Sequence, residues 1–323
     1  MKLHRVLVAA GAALMLAATA HAVVTPVFFF KWGSAGGGPG QFSFPTGVAI
    51  APSGDVYVVD QLNYRVQEFN PTGGFVNQFG SPGNGDGQFL NPTGLGVDGS
   101  GNVYVADSGN NRVQKFSPSG AFLMKFGSLG SGNGQFRTPY DVAVNSSGDI
   151  YVTDGQNGRV QHFTSAGTYV SQFGQADLIN TPRGIAINSN GIYVCDYGDD
   201  FIVVYDEGSE TLVNAWGGNG SANGFFSAPQ GINLDVLGNV YTAEVNNRRV
   251  QIFDASGNFL TKFGTSGSSD GQFNVLRDAC PDGAMDPKVY CADSNNQRIQ
   301  AFGDPVTATG NTTWGRLKAL YVK

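Results

Sequence analysis

Apolar and polar residues alternate along this chain in short runs that come in pairs. Val103 to Phe116, VYVADSGNNRVQKF, is the clearest pair. Period-two alternation predicts a strand on each side, and Ser108 to Asn111 supplies a tight turn between them. The same hairpin recurs with its acidic residue at Asp60, Asp107, Asp154, Asp196, Glu244 and Asp293, at spacings of 47, 47, 42, 48 and 49. The first copy shows the whole unit: runs at Val48–Ile50, Val56–Val59, Arg65–Phe69 and Phe75–Gly80, with turns at Pro52–Gly54 and Pro71–Gly74. No run carries helical spacing over a useful length. Four short strands joined by short connections must pair with their neighbours, and a unit of this period predicts one propeller blade.

The ends of the array predict how it closes. The fourth run ends in an aromatic followed by glycine at Phe79-Gly80, Phe126-Gly127, Phe173-Gly174, Trp216-Gly217 and Phe263-Gly264. A further pair, Trp32-Gly33, precedes the first copy, whereas the last hairpin stops at Phe302-Gly303 without a fourth run. The expected fold is therefore all-β: a six-bladed propeller of four-stranded antiparallel blades. Its N-terminal strand, Phe28 to Trp32, completes the last blade beside Arg298 to Phe302. Closure removes a sheet edge that would otherwise invite aggregation.

The stretch GQF…PTGVAI…GDVYVVDQLNYRVQEF resembles the NHL repeat, and six copies span residues 28 to 303. The acidic residue, the Asn three further on, the Arg five further on and the closing aromatic recur in nearly every copy. Blade four departs from the pattern: it reads DYGDDFIVVY, puts Phe201 where Arg stands elsewhere, and lacks the GQF element. The resemblance, taken with the leader described below, is to exported bacterial NHL propellers. It implies the six-bladed fold, while a fold of this kind hosts many unrelated activities.

Composition adds a compartment and removes some partners. Residues 1–22 carry Lys2 and Arg5, an apolar stretch from Val6 to Ala18, and small residues at Ala20 and Ala22, the pattern of a secretory signal peptide. The propeller is then expected over 23–303, in a periplasmic or extracellular protein. Residues 304–323 form a C-terminal tail in which Trp314, Leu317, Leu320 and Tyr321 recur at helical spacing, as in a short amphipathic helix. Without the leader, 17 Lys and Arg face 25 Asp and Glu, a net charge of −8. Such a balance speaks against nucleic acid as a partner and against a polybasic membrane contact. No stretch after the leader could insert in a bilayer, and a monomer is expected.

The repeated polar residues read as architecture. Asp60 with Arg65, Asp107 with Arg112, Asp154 with Arg159, Glu244 with Arg249 and Asp293 with Arg298 sit at the mouths of equivalent turns. A guanidinium there can hold the carboxylate and the adjacent glycine-rich loop together. The turn Asn residues, such as Asn63 and Asn110, are read as structural, since Asn tolerates left-handed backbone angles and can hydrogen-bond its own turn.

Function is expected where the copies differ. Residues just ahead of the innermost strands ring one mouth of the central channel: Thr46, Thr93, Tyr140 with Asp141, Arg183, Gln230, and Arg277 with Asp278. Asp199 and Asp200 replace the clamp beside Arg183. This ring could hold a protein, a peptide or a glycan, or be a solvated rim. No cofactor is expected. After the leader only His162 remains, so a His-rich zinc centre of the peptide-amidating lyase kind is excluded. A calcium ion in the channel, held by Asp141, Asp278 and the Asp199–Asp200 pair, stays open, although no calcium-loop spacing is present. No nucleophile triad can be assembled, so the chain reads as a binding or scaffold protein before an enzyme. The alternative is a metal-dependent propeller enzyme of the lyase or lactonase kind. Cys280 and Cys291 lie in neighbouring runs and are candidates for a cross-strand disulfide, with two buried thiols as the competing reading.

Overall fold

The computed structural model describes residues 24–174 and 179–305. The leader expected over 1–22, and the tail beyond Pro305, lie outside the described residues. Six four-stranded sheets are arranged as blades, each running antiparallel from its first strand to its fourth. Blade one comprises Pro45–Ile50, Val56–Asp60, Arg65–Phe69 and Phe75–Phe79. Blade six takes Leu276–Pro281, Val289–Asp293 and Arg298–Gly303 from the end of the array and Val27–Trp32 from its start. The closing pair is antiparallel, with Phe28 opposite Phe302 and Trp32 opposite Ile299.

Each seam between adjacent blades is its own hydrophobic core, because alternate side chains of the inner strands point to opposite faces of the blade. The seam between blades one and two, for example, buries Tyr57, Val59, Val66, Leu95, Val105 and Phe116 together. The loop entering a blade contributes one aromatic to its seam: Phe42, Phe89, Phe136, Phe226 and Phe273 are all fully buried. The glycine that closes the preceding strand makes room for it. Gly80 has φ +105, and a Cβ there would lie 2.5 Å from the Phe89 ring. The paired motifs aromatic-Gly and Gly-Gln-Phe are thus two halves of one packing arrangement.

The loop into blade four differs, with Ile179 in place of the aromatic. The register decides between the two readings of Cys280 and Cys291. Cys280 stands opposite Tyr290 and Cys291 opposite Ala279, so the two thiols lie on opposite faces of blade six, in different seams. Both are free and buried, as is Cys195. Of the two roles open to the recurrent turn Asn, the left-handed angle falls to the next position: Tyr64, Asn111, Gly158, Asp200, Arg248 and Gln297, with φ between 52 and 61. Asn63 instead donates its amide to Gly36 O at 2.9 Å and to Asp60 at 2.8 Å.

Candidate functional site

The short turns place the loops from fourth to first strand, and from second to third, on one face of the ring. On this face the five acidic–arginine pairs are clamps. Arg112 Nε donates to Asp107 Oδ2 at 2.7 Å, while its Nη atoms donate to Asn84 O, Gly85 O and Gln88 O at 2.7–2.8 Å. Arg65, Arg159, Arg249 and Arg298 make the same ion pair with Asp60, Asp154, Glu244 and Asp293. In blade four Phe201 stands opposite Asp196 at the position of the clamp arginine, and Asp196 accepts the amides of Asn180, Thr181 and Gly198.

Several residues of the expected ring turn out to fasten blades. The Thr46 hydroxyl donates to Thr93 O at 2.7 Å, and that of Thr93 to Tyr140 O at 2.6 Å. Both threonines are buried. Asp200, at φ +61, accepts the Ala228 amide at 2.7 Å and the Asn219 side-chain amide at 2.6 Å. Gln297 does the same for Phe44 N at 2.6 Å, and Asn111 for Thr138 N at 3.1 Å. Alternate seams are therefore stapled by the side chain of a left-handed residue. Asp199 is exposed beside this staple and does not line the channel.

At the centre of the face the remaining ring residues meet. The Arg183 guanidinium lies 3.4 Å from the ring of Tyr197 and 5.0 Å from that of Tyr140, and donates to Gln230 Oε1 at 3.0 Å. Arg277, from blade six, lies 5.0 Å from the Phe44 ring and donates to the Tyr140 hydroxyl at 3.3 Å. Tyr140 thus reaches across the mouth and bridges two arginines from different blades. Phe44 and Tyr197 were not among the expected residues. Each is, however, the lone aromatic at its position among the six copies: Phe44 aligns with Asn91, Thr138, Thr181, Ala228 and Val275, and Tyr197 with Gln61, Ser108, Gly155, Val245 and Ser294.

Beneath this layer the channel narrows at Asp141 and Asp278. At their position the six blades read Gly47, Gly94, Asp141, Gly184, Gly231, Asp278, so the two carboxylates face inward from opposite blades. Asp141 accepts Val142 N at 2.9 Å and Ile185 N at 3.2 Å. Asp278 accepts Val48 N at 2.9 Å, Ala279 N at 2.8 Å and the Asn233 amide at 2.9 Å. Burial raises the pKa of Asp278 to about 7. Burial, and then the charge of Asp278, hold the Asp141 carboxyl well above its usual range. The cavity between this pair and the mouth is only about 10 Å³, room for about one water. On the other side the channel widens into a funnel of about 180 Å³ lined by aliphatic residues such as Ile50, Val97, Val144 and Ile187.

His162 lies outside the channel, at the seam of blades three and four. Its Nδ1 is 2.7 Å from Glu210 Oε1, its ring stacks on Tyr151, and Ser171 donates to Glu210 at 2.7 Å. Serine and glutamate approach the same ring nitrogen, whereas nucleophile activation needs them on opposite ones. Among the described residues no group of three His, Cys, Asp or Glu could hold a metal ion.

Residues 42–69, 89–116 and 136–163 match the NHL repeat. The chain carries NHL repeats. A human protein, NHL repeat-containing protein 3, is 30% identical over 129 residues, which cover 36% of each chain; this chain thus spans about a third of that relative's length. Among solved structures, the virginiamycin B lyase of Staphylococcus aureus superposes with a TM-score of 0.57 at 14% identity, covering 82% of this chain and 96% of that one. A gluconolactonase of Xanthomonas campestris gives 0.61 at 15%, covering 88% and 99%. A Bacteroides thetaiotaomicron protein of unknown function gives 0.65 at 16%, covering 85% and 76%. At these identities the likeness is one of fold.

Proposed function

We propose that the chain is an exported, monomeric binding or scaffold propeller that holds a protein, peptide or glycan on its loop face. The carrying observation is the cluster of Tyr140, Arg183, Tyr197 and Arg277 at the centre of that face. Tyrosine and arginine dominate binding energy at protein interfaces, because they join a broad contact surface to directional hydrogen bonds. Exposed apolar side chains surround the cluster on the same face: Leu62, Leu90, Leu129, Phe201 and Phe225 are all at least 38% exposed. An acidic chain lacks the footprint of a nucleic-acid binder, and no helix among the described residues is long and apolar enough to cross a membrane.

Site-specific photo-crosslinking in the producing cell tests this. A photoreactive side chain at Leu90 is expected to form an adduct that the same group at Val236, on the opposite face, does not. The adduct should vanish on Arg183→Ala. Equal labelling at both positions, or none, would overturn the proposal.

The lyase and lactonase activities named for two fold neighbours would require a reactive centre in the channel. Calcium takes six to eight oxygen ligands. Here two carboxylates already accept backbone amides, and the Asn233 amide turns its N–H toward Asp278. Asp200 is spent on its staple. This donor set does not fit a calcium ion, and we derive no step through one.

A further inference from the structure

The five clamp arginines each touch a carboxylate at 2.5–2.8 Å. Arg183 and Arg277 do not: among the described residues neither has a carboxylate within 4.0 Å, although the chain carries a net charge of −6. Their flat faces are covered by Tyr197, Tyr140 and Phe44. Each spends one terminal nitrogen, on Gln230 and on the Tyr140 hydroxyl. The edge formed by Nε and the other terminal nitrogen donates to no described residue, and Nε of Arg277 is buried without a partner. Burying an N–H donor without an acceptor is costly, and a planar guanidinium edge is matched in shape by a carboxylate, which accepts two parallel N–H bonds.

We infer that Arg183 and Arg277 form a carboxylate-recognition site at the channel mouth, which takes an acidic side chain or a free chain end of the bound peptide. Tyr197 and Tyr140 stacked on Arg183, and the Phe44 ring with the Tyr140 hydroxyl on Arg277, fix the two guanidiniums before the ligand arrives, which lowers the ordering cost of binding. The floor opposes the ligand little. Asp141 and Asp278 are turned onto the amides of Val142, Ile185, Val48 and Ala279, and burial favours their protonated forms.

The inference rests on the loop face being the binding face, and its test separates the two. Three probes are titrated into the ¹⁵N-labelled protein while the Arg Nε–H resonances are followed: acetyl-Ala-Ala-Ala as the free acid, the same peptide as the amide, and acetyl-Ala-Asp-Ala amide. The free acid or the aspartyl peptide is expected to shift the Arg277 Nε–H signal saturably, and whichever does so identifies the source of the carboxylate. The neutral amide should not. Arg183→Gln and Arg277→Gln should each weaken binding by about tenfold or more, with unchanged circular dichroism, while Lys125→Gln on the rim changes nothing. Equal binding of all three peptides, or no shift at about 10 mM peptide, would overturn the carboxylate site. If Leu90 still crosslinks to a partner in that case, the binding face stands and this inference alone falls.

Discussion

Asp141 and Asp278 occupy one and the same position in opposite blades, and each passes its carboxylate across a seam to an amide of the next blade, Ile185 or Val48. Both carboxyls are raised above the usual value of 3.8, Asp278 to about 7. The folded protein therefore holds protons that the unfolded chain has already released. The stabilisation is complete below about pH 4 and is lost as pH rises through about 7. A shift of this size corresponds to at most about 4 kcal/mol for Asp278. Other buried carboxyls titrate as well, so the informative quantity is a difference. In urea titrations from pH 4 to 8, the Asp141→Asn/Asp278→Asn double variant should lose less stability with rising pH than the wild type. Parallel curves would refute the assignment.

The Arg112 clamp makes four hydrogen bonds from a buried position, whereas Arg183 pairs with no carboxylate among the described residues. Replacing Arg112 by Ala leaves the buried Asp107 carboxylate without its ion-pair partner and removes one donor from each of three loop carbonyls. That should cost about 3–5 kcal/mol. Arg183→Ala removes a partly exposed group and should cost about 1 kcal/mol or less. Chemical denaturation of both variants checks the contrast, and similar losses would mean that Arg183 also holds the ring together.

The blades were readable from the sequence because one physical unit is written six times. Period-two alternation and a turn mean the same thing in each copy, and in five of the six an acidic residue is paired with an arginine. The mouth was partly readable for the opposite reason. Tyr140, Asp141, Arg183, Arg277 and Asp278 stand out because they break sixfold equivalence. Phe44 and Tyr197 break it too, but in loops, where no alternation marks which residues align. Asp200 was misplaced for a related reason: the shortened blade four hides its alignment with Asn111 and Gln297, and only the backbone shows that it staples a seam. For Cys280 and Cys291 an offset of one residue in register decides the face, and composition cannot reveal it.

Blade four lacks the arginine clamp on its entering loop, and the seam it shares with blade three, crossed by the Asp141–Ile185 bond, is also held on the other side of the ring. His162 and Ser171 from blade three meet Glu210 from blade four, and Asn145 donates to Glu207 at 2.7 Å. His162 and Glu210 are 14% and 17% exposed, so their interaction is little screened. A double-mutant cycle with His162→Ala and Glu210→Ala should yield a coupling of about 1 kcal/mol. The exposed Lys125–Asp86 pair should give about 0.5 kcal/mol or less. A coupling at His162 no larger than that of the surface pair would remove it as a fastener of this seam.

The strand Val27–Trp32 closes the ring with more than backbone pairing. Phe28 meets Phe302 edge-on at 6.1 Å, and Trp32 lies 5.6 Å from Phe69 of blade one and 5.8 Å from Tyr290 of blade six. Trp32 therefore ties the last blade to the first. Its side chain is only partly buried, so Trp32→Ala should cost about 2 kcal/mol, below the range for a fully buried tryptophan. Deleting residues 27–32 does more: it uncovers the Arg298–Gly303 edge and opens the seam between blades six and one. Exposed edges recruit other chains, so the deletion should lower the melting temperature of the whole propeller in a single transition and promote aggregation visible by light scattering. A deletion variant that melts like the wild type and stays monomeric would show that blade six is complete without this strand.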